Sequence, residues 1–202
     1  HRIVDGVATD ELLDGQDPDK LFLERDLKFL KEPKGDKPGG RMVIVLPRQN
    51  LSGTQQSSVE LRKWLLKQAK ITAIVDLPRE AFQPHTGTKT SLVFLEKVKD
   101  PESDYKIFMA VSEAVGHDRR GNPIYRKDDS GKFVLDGENN PRIWNDLPEI
   151  KDQWDNYQKG IKPKSITPSC FVISSEQLRN DPSYRIDAWY WDPNKNDLAK
   201  SL

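Results

Sequence analysis

Leu23, Leu27 and Leu30 recur at helical spacing in the stretch GQDPDKLFLERDLKFLKEPKG, and Phe22 and Phe29 widen the apolar stripe. The pattern predicts a helix that buries this stripe. Asp17 is placed to cap its first turn, Pro18 suits the first helical position, and Pro33 and Gly35 stop it. The periodicity then changes. Met42 to Leu46 is an unbroken apolar run, MVIVL, as expected of a strand covered on both faces. A polar loop, RQNLSGTQQSS, leads to a second helix, SVELRKWLLKQA, with Leu61, Trp64 and Leu65 on its buried side. Ser57 and Glu60 have the spacing of a capping box at its start. ITAIVDLP and TSLVFLEK are two further buried strands.

The first hundred residues thus read helix, strand, helix, strand, strand, which is α/β patterning but only half of a doubly wound sheet. Three strands with two helices cannot cover both faces of MVIVL, so further strands are expected upstream of His1. After Asp100 the composition shifts. YKIFMAVSE is one more strand candidate, and the next stretch is rich in Gly, Asn, Asp and Pro. There PIYR and KFVL flank an Asp-Ser-Gly turn, which predicts a protruding hairpin. LPEIKDQWDNYQKG is a short amphipathic helix ending at Gly160, IKPKSITP a linker, and the aromatic-rich tail the start of a new unit. No internal repeat is evident. The expected divisions are 1–115, 116–160 and 161–202.

Composition narrows the function classes. The 202 residues suffice for one domain or one and a half. Lys+Arg and Asp+Glu both number 32, so the net charge is zero and the totals show no bulk electrostatic grip on nucleic acid or membrane. Any basic surface is local or lies on a partner. With 35% hydrophobic and 32% charged residues the chain builds a modest core. One cysteine, Cys170, excludes an internal disulfide framework and fits a reducing compartment. No signal peptide or membrane-length apolar run is present, so the expectation is a cytoplasmic protein with no membrane partner. The chain opens on His1 without Met, as an excised piece of a longer protein would.

Candidate chemistry centres on FQPHTGTKTSLVFL, Phe82 to Leu95. It is not a phosphate loop: Thr88, not Gly, precedes Lys89, and the segment enters a strand rather than a helix. Phe82, His85, Thr86 and Lys89 instead suit a substrate-facing rim. Gly87 permits unusual backbone angles, the hydroxyls and Lys89 suit phosphate, and an aromatic at a strand mouth suits stacking on a base. The alternative is an ordinary inter-strand loop with Phe82 tucked into the core. Arg119 and Arg120 in HDRRGNP are either phosphate contacts or a solvated turn. His85 and His117 lack companions at ligand spacing, so no metal site is expected. Cys170, beside Phe171 and Val172, reads as a buried thiol, and WYWDP as an aromatic contact surface or a core cluster. Asp76 is a strand-end carboxylate with no identifiable acid–base partner.

Several stretches then match a family together and in order: LFLERDLKFLK, GGRMVIVLP, ITAIVDLPREAFQPHTGTKTSLVFLEK, YKIFMAVSEAVGHDRRGNPIY and LPEIKDQWDNY. From Leu21 to Tyr157 the chain resembles the C-terminal half of DNA adenine-N6 methyltransferases of the type I restriction-modification kind, either the modification subunit or a fused methylase–specificity protein. SYRIDAWYWDP resembles the opening of a target recognition domain. The resemblance implies a partial Rossmann-like methyltransferase sheet followed by a hairpin excursion and the start of a second domain. RMVIVLP, TAIVDLP and TSLVFLEK would be the fifth, sixth and seventh strands, the last running antiparallel between its neighbours. It also implies S-adenosylmethionine as methyl donor, an adenine amino group as acceptor, and extrusion of the base from double-stranded DNA. Specificity subunits and restriction subunits or domains are the implied protein partners.

In that scheme Phe82 to Lys89 borders the target-base cleft and Arg48 to Gln55 lies on the same rim. The family's glycine-rich cofactor motif and its Asn-Pro-Pro-Tyr/Phe motif are both missing from this sequence. The resemblance therefore implies no catalytic or cofactor-binding residue here, and a fragment without turnover of its own, since alignment of the amine supplies much of the rate. The alternative is a non-catalytic DNA-binding or subunit-docking module, working through Arg119, Arg120 and the Lys-Pro-Lys of the linker.

Overall fold

Two residues of positive φ, Asp5 (49°) and Gly6 (73°), turn the chain between β1 (Ile3–Val4) and β2 (Val7–Ala8). Asp-Gly suits such a tight hairpin because glycine carries no Cβ to clash there. The computed structural model to which they belong describes residues 1–11, 15, 17–101 and 103–195. Helix α1 (Pro18–Phe29) follows, then β3 (Arg41–Pro47), α2 (Arg48–Ser52), α3 (Gln56–Gln68) and β4 (Lys70–Asp76). After β4 come a 3₁₀ turn (Arg79–Phe82), β5 (Thr90–Glu96) and β6 (Lys106–Val111). An irregular excursion leads to α4 (Leu147–Gln158), β7 (Ser169–Ser174), α5 (Ser175–Asn180) and α6 (Ala188–Trp191).

The main sheet has five strands in the order β3-β5-β4-β6-β7. β5 runs antiparallel between β3 and β4, β6 lies parallel to β4, and β7 closes the far edge antiparallel to β6. The three apolar runs seen in the sequence therefore lie side by side, and the third is inserted between the first two. One face carries Leu46, Ile71, Ile74, Val93, Leu95, Ile107 and Met109 under α1, α3 and the C-terminal helices. The other carries Ala73, Val75, Phe108, Ala110 and Cys170 against Ile150, Trp154 and Tyr157 of α4.

Four local expectations are corrected. α1 buries Leu23 and Leu27, but Phe22 and Phe29 are 60% and 71% exposed, because α1 meets the sheet along one narrow line. Asp17 is its N-cap but makes no side-chain cap bond, pairing instead with Lys20 at 2.9 Å. β3 is covered on one face only: Leu46 is buried while Val43 and Val45 are 54% and 43% exposed, because β3 is the outer strand and α4 covers the other end of the sheet. The polar segment after β3 begins as α2, and α3 starts at Gln56 rather than Ser58, so Ser57 and Glu60 form no capping box. Glu60 accepts the Gly6 N–H at 3.0 Å instead, which ties the N-terminal hairpin to α3.

The excursion is more than one hairpin. Asp118, Asp128 and Asp136 each open a turn in which the Asp N–H donates to the carbonyl four residues on, at 2.8 to 2.9 Å. Each Asp Oδ1 also accepts the N–H of the second and fourth following residues. The residue before the last in each turn has positive φ: Gly121 (84°), Gly131 (82°) and Asn139 (66°). The hydrogen bonds between turns close on themselves. Ile124 donates to Gly116, Trp144 to Ile124 and Gly116 to Trp144, at 3.1, 2.8 and 2.9 Å. Val134 donates to Arg126, Arg142 to Val134 and Arg126 to Arg142, at 2.9, 2.8 and 2.9 Å. The expected pairing of PIYR with KFVL exists, as one third of this knot of three Asp-closed turns. It is a structural repeat that the sequence hides behind unequal spacing.

The tail expected to open a new unit packs on the first. β7 completes the sheet, and Leu178, Ile186 and Ala188 are wholly buried in the main core. Residues 196–202 lie outside the described residues.

Candidate functional site

The loop from Phe82 to Lys89 leaves the carboxyl end of β4 and re-enters the sheet as β5. The 3₁₀ turn projects Phe82 outward, 40% exposed rather than tucked into the core. His85, Thr86 and Lys89 are exposed with it. The loop is nonetheless held. The Thr86 N–H donates to the Phe82 carbonyl at 3.1 Å, and the Thr88 N–H to the Thr86 hydroxyl oxygen at 3.2 Å. At its exit the Lys89 carbonyl accepts the Arg48 N–H at 2.9 Å, which brings the start of α2 to the same rim. The Gln83 side-chain oxygen and the Thr90 hydroxyl are buried with no hydrogen-bond partner among the described residues.

Beneath the loop lies a buried polar cluster that sequence reasoning missed. Asp76 accepts the Ser91 hydroxyl at 2.5 Å and the Trp189 N–H at 2.8 Å, and Arg48 Nε stands 3.9 Å from it. Burial raises the Asp76 carboxyl above the ordinary range, against the Ser91 hydrogen bond that lowers it. Arg48 also donates to Asp187 at 3.0 Å and stacks over the Trp189 ring at 5.0 Å. Arg185 grips both Asp187 oxygens at 3.0 Å. Nearby, fully buried Arg62 donates to the carbonyls of Asn50, Gly53 and Ser183, and burial pushes its pKa down to about 10. The one advance signal was a carboxylate at the end of an apolar strand; its partners come from three separate segments, and Trp189 lies 113 residues away in the chain.

Arg119 and Arg120 sit exposed on the first Asp-closed turn, where the charge of Arg120 is one of the causes, after the hydrogen bonds from Asn122, that hold the Asp118 carboxyl low. Arg119 lines a cleft with Pro78, Glu80 and His117, which brings it to the foot of the Phe82 loop; Arg120, on the same turn, does not line it. Among the described residues no group of three or more His, Cys, Asp or Glu is arranged to hold a metal ion, and no helix is long and apolar enough to cross a membrane. The turns that follow β3, β4 and β7 into helices contain no glycine. At the first of them the leading N–H, that of Arg48, is already bonded to Lys89. These residues do not fit a nucleotide-like cofactor, which favours free N–H groups at a glycine-rich turn. Cys170 is buried, with its thiol pushed up to about 12 by that burial.

Residues 24–172 match the family described as N-6 DNA Methylase. A stretch of 71 residues, 35% of this chain, is 35% identical to the methylase subunit of the type I restriction enzyme EcoEI of Escherichia coli and covers 14% of that protein. Two solved structures share the fold. One is a type I restriction enzyme modification subunit from Vibrio vulnificus YJ016, with a TM-score of 0.58 and 19% identity over 90% of this chain and 33% of that one. The other was described for the complex assembly and conformational transition of a type I R-M system, with a TM-score of 0.58 and 21% identity over 91% of this chain and 35% of that one. The chain thus spans about a third of the length of these solved relatives.

Proposed function

Because the chain belongs to the N-6 DNA methylase family, we propose that it is the downstream part of a site-specific DNA adenine-N6 methyltransferase of a type I restriction-modification system. In this reading it supplies one wall of the DNA and target-base cleft. S-adenosylmethionine supplies the methyl group and is held by the part of the enzyme outside this chain. Phe82 or His85 presents a stacking face to an extruded adenine, and Thr86 and Lys89 contact the strand that carries it. Arg119 and Arg120 take phosphates beside the loop. The observation that carries the reading is the exposed Phe82–Lys89 loop, anchored at Lys89 and set over the strand mouths.

The fragment reading is supported by β3. Among the described residues no strand pairs with its outer edge, and Val43 and Val45 are exposed, as for a Rossmann-like sheet that continues into further strands. Residues 1–115 are then the downstream half of the catalytic core and 116–160 its extension. Residues 161–202 link the core to a target recognition domain, their first part docked on the sheet. Double-stranded DNA and the specificity and restriction subunits or domains are the partners. The cytoplasm is the compartment, consistent with the free Cys170.

Complementation tests this. The chain alone transfers no methyl group from S-adenosylmethionine, and restoring the upstream half yields methylation of adenine in duplex DNA. Tight S-adenosylmethionine binding by the isolated chain would contradict it. The exposed Arg119 and Arg120 favour a second reading, a DNA-binding or docking module without chemistry. That reading requires salt-dependent duplex binding by the chain alone, abolished by Arg119→Ala with Arg120→Ala.

A further inference from the structure

Arg48 joins four separated parts of the chain. Its N–H holds the Lys89 carbonyl at 2.9 Å, at the exit of the Phe82 loop. Its guanidinium reaches Asp187 at 3.0 Å and Asp76 at 3.9 Å, and covers the Trp189 ring. Its own backbone stands at the end of β3. The tail meets it with further bonds: Trp189 N–H to Asp76 at 2.8 Å, Ile186 N–H to the Leu51 carbonyl at 3.1 Å, and the Ser183 carbonyl to Arg62.

Asp187 is wholly buried and Asp76 is 3% exposed, while the Arg48 and Arg185 side chains that meet Asp187 keep 18% and 24% exposure, so two acids are withdrawn from water and lean on half-buried arginines. Charges buried in this way hold a fold together less well than apolar side chains of the same volume, but they fix one geometry, since any shift leaves an unpaired charge. The geometry fixed here is the seat of the tail against the base of the Phe82–Lys89 loop.

We propose that Arg48 and Asp187 are positioning residues through which the docked tail, 183–191, holds the Phe82–Lys89 loop ready for an extruded base. The inference rests on the methyltransferase reading above. It makes tail docking and base capture one event: a displaced tail loosens Arg48, and Arg48 releases Lys89.

The test uses the intact protein that carries this chain, with adenine duplexes for kcat and separate duplexes bearing 2-aminopurine at the target position for base extrusion. Asp187→Asn lowers kcat and the 2-aminopurine signal by about tenfold or more, while the duplex Kd changes by less than about threefold. In the same variant, hydrogen exchange at the Arg48 and Trp189 amides quickens by about tenfold or more, and at Phe108 in the core it is unchanged. The apolar set Arg48→Met, Arg185→Met and Asp187→Leu, which leaves neither arginine facing a lost Asp187, restores thermal stability but not the fluorescence signal. The inference is overturned if Asp187→Asn leaves the Arg48 amide as protected as before, or if the apolar set restores base extrusion. Wild-type protein with neither signal nor methylation would sink the methyltransferase reading instead, and the exchange measurement would still decide the coupling.

Discussion

The Asp146 carboxylate accepts the Ser112 hydroxyl at 2.6 Å and the Glu113 N–H at 2.6 Å, with the Ala114 N–H at 3.3 Å. Asp146 is 3% exposed and stands where the knot of turns returns to α4, so one buried side chain clasps both ends of the excursion. Asp146→Ala leaves three donors without an acceptor and is expected to cost about 2–4 kcal/mol. Urea denaturation measures the loss, and exchange at the Gly116 and Trp144 amides shows whether the knot opens first. Asp146→Asn keeps an acceptor and is expected to cost less.

Arg62 is 1% exposed and spends its donors on backbone carbonyls of α2, the α2–α3 turn and the tail. Arg62→Ala is expected to cost about 3–5 kcal/mol, from lost volume and from three carbonyls left unpaired. A melting curve of the variant showing less than about 1 kcal/mol of loss would mean that the tail is not seated as described.

The carboxylates divide by the sign of their shifts. Asp118 is held below its usual 3.8, first by the Asn122 side chain, and Asp128 likewise, first by the Ser130 hydroxyl. Their folded forms bind protons less readily than the unfolded chain. Their contribution is therefore present above about pH 3.8 and lost as pH falls through the folded values. Asp76, raised by burial, has the opposite sign: the fold binds its proton more readily, so its contribution weakens as pH rises above 3.8. Carboxyl ¹³C titration is expected to place Asp76 above 3.8 and Asp118 and Asp128 below it.

Cys170 is wholly buried and its thiol is pushed up to about 12. At pH 8 its reaction with a thiol reagent is expected to run on the order of a thousandfold slower than that of a free cysteine, and to follow unfolding in urea. Fast labelling of the native chain would contradict the packing of β7 on β6.

Phe82 lies outside the core, so Phe82→Ala is expected to change stability by less than about 0.5 kcal/mol. If it stacks on the base, methyl transfer by the intact protein falls by about tenfold or more, since base–aromatic stacking is worth about 1–3 kcal/mol. His85→Ala, assayed beside it, identifies which of the two rings is used.

Much of the element order was legible because strand and helix leave different periods in the sequence. Met42–Leu46, Ile71–Val75 and Leu92–Leu95 were readable as strands, and Leu61, Trp64 and Leu65 as a helix face, from local patterning alone. The Phe82–Lys89 loop was also legible, since polar and glycine-containing sequence abuts an apolar strand. Two signals went unread: Asp-Gly between Val4 and Val7, and the recurrence of Asp at 118, 128 and 136 ahead of residues with positive φ.

Sequence alone determined which segments were apolar enough to become buried strands, because hydrophobic period is a property of neighbours along the chain. It did not determine that Val43 and Val45 face outward, which depends on β3 being an outer strand. Nor did it determine the partners of Arg48. Asp187 and Trp189 are remote in sequence, and only the seating of the tail against the ends of β3 and β4 brings their charge and ring within reach. Contacts of that kind follow from chain path, and local pattern carries no record of them.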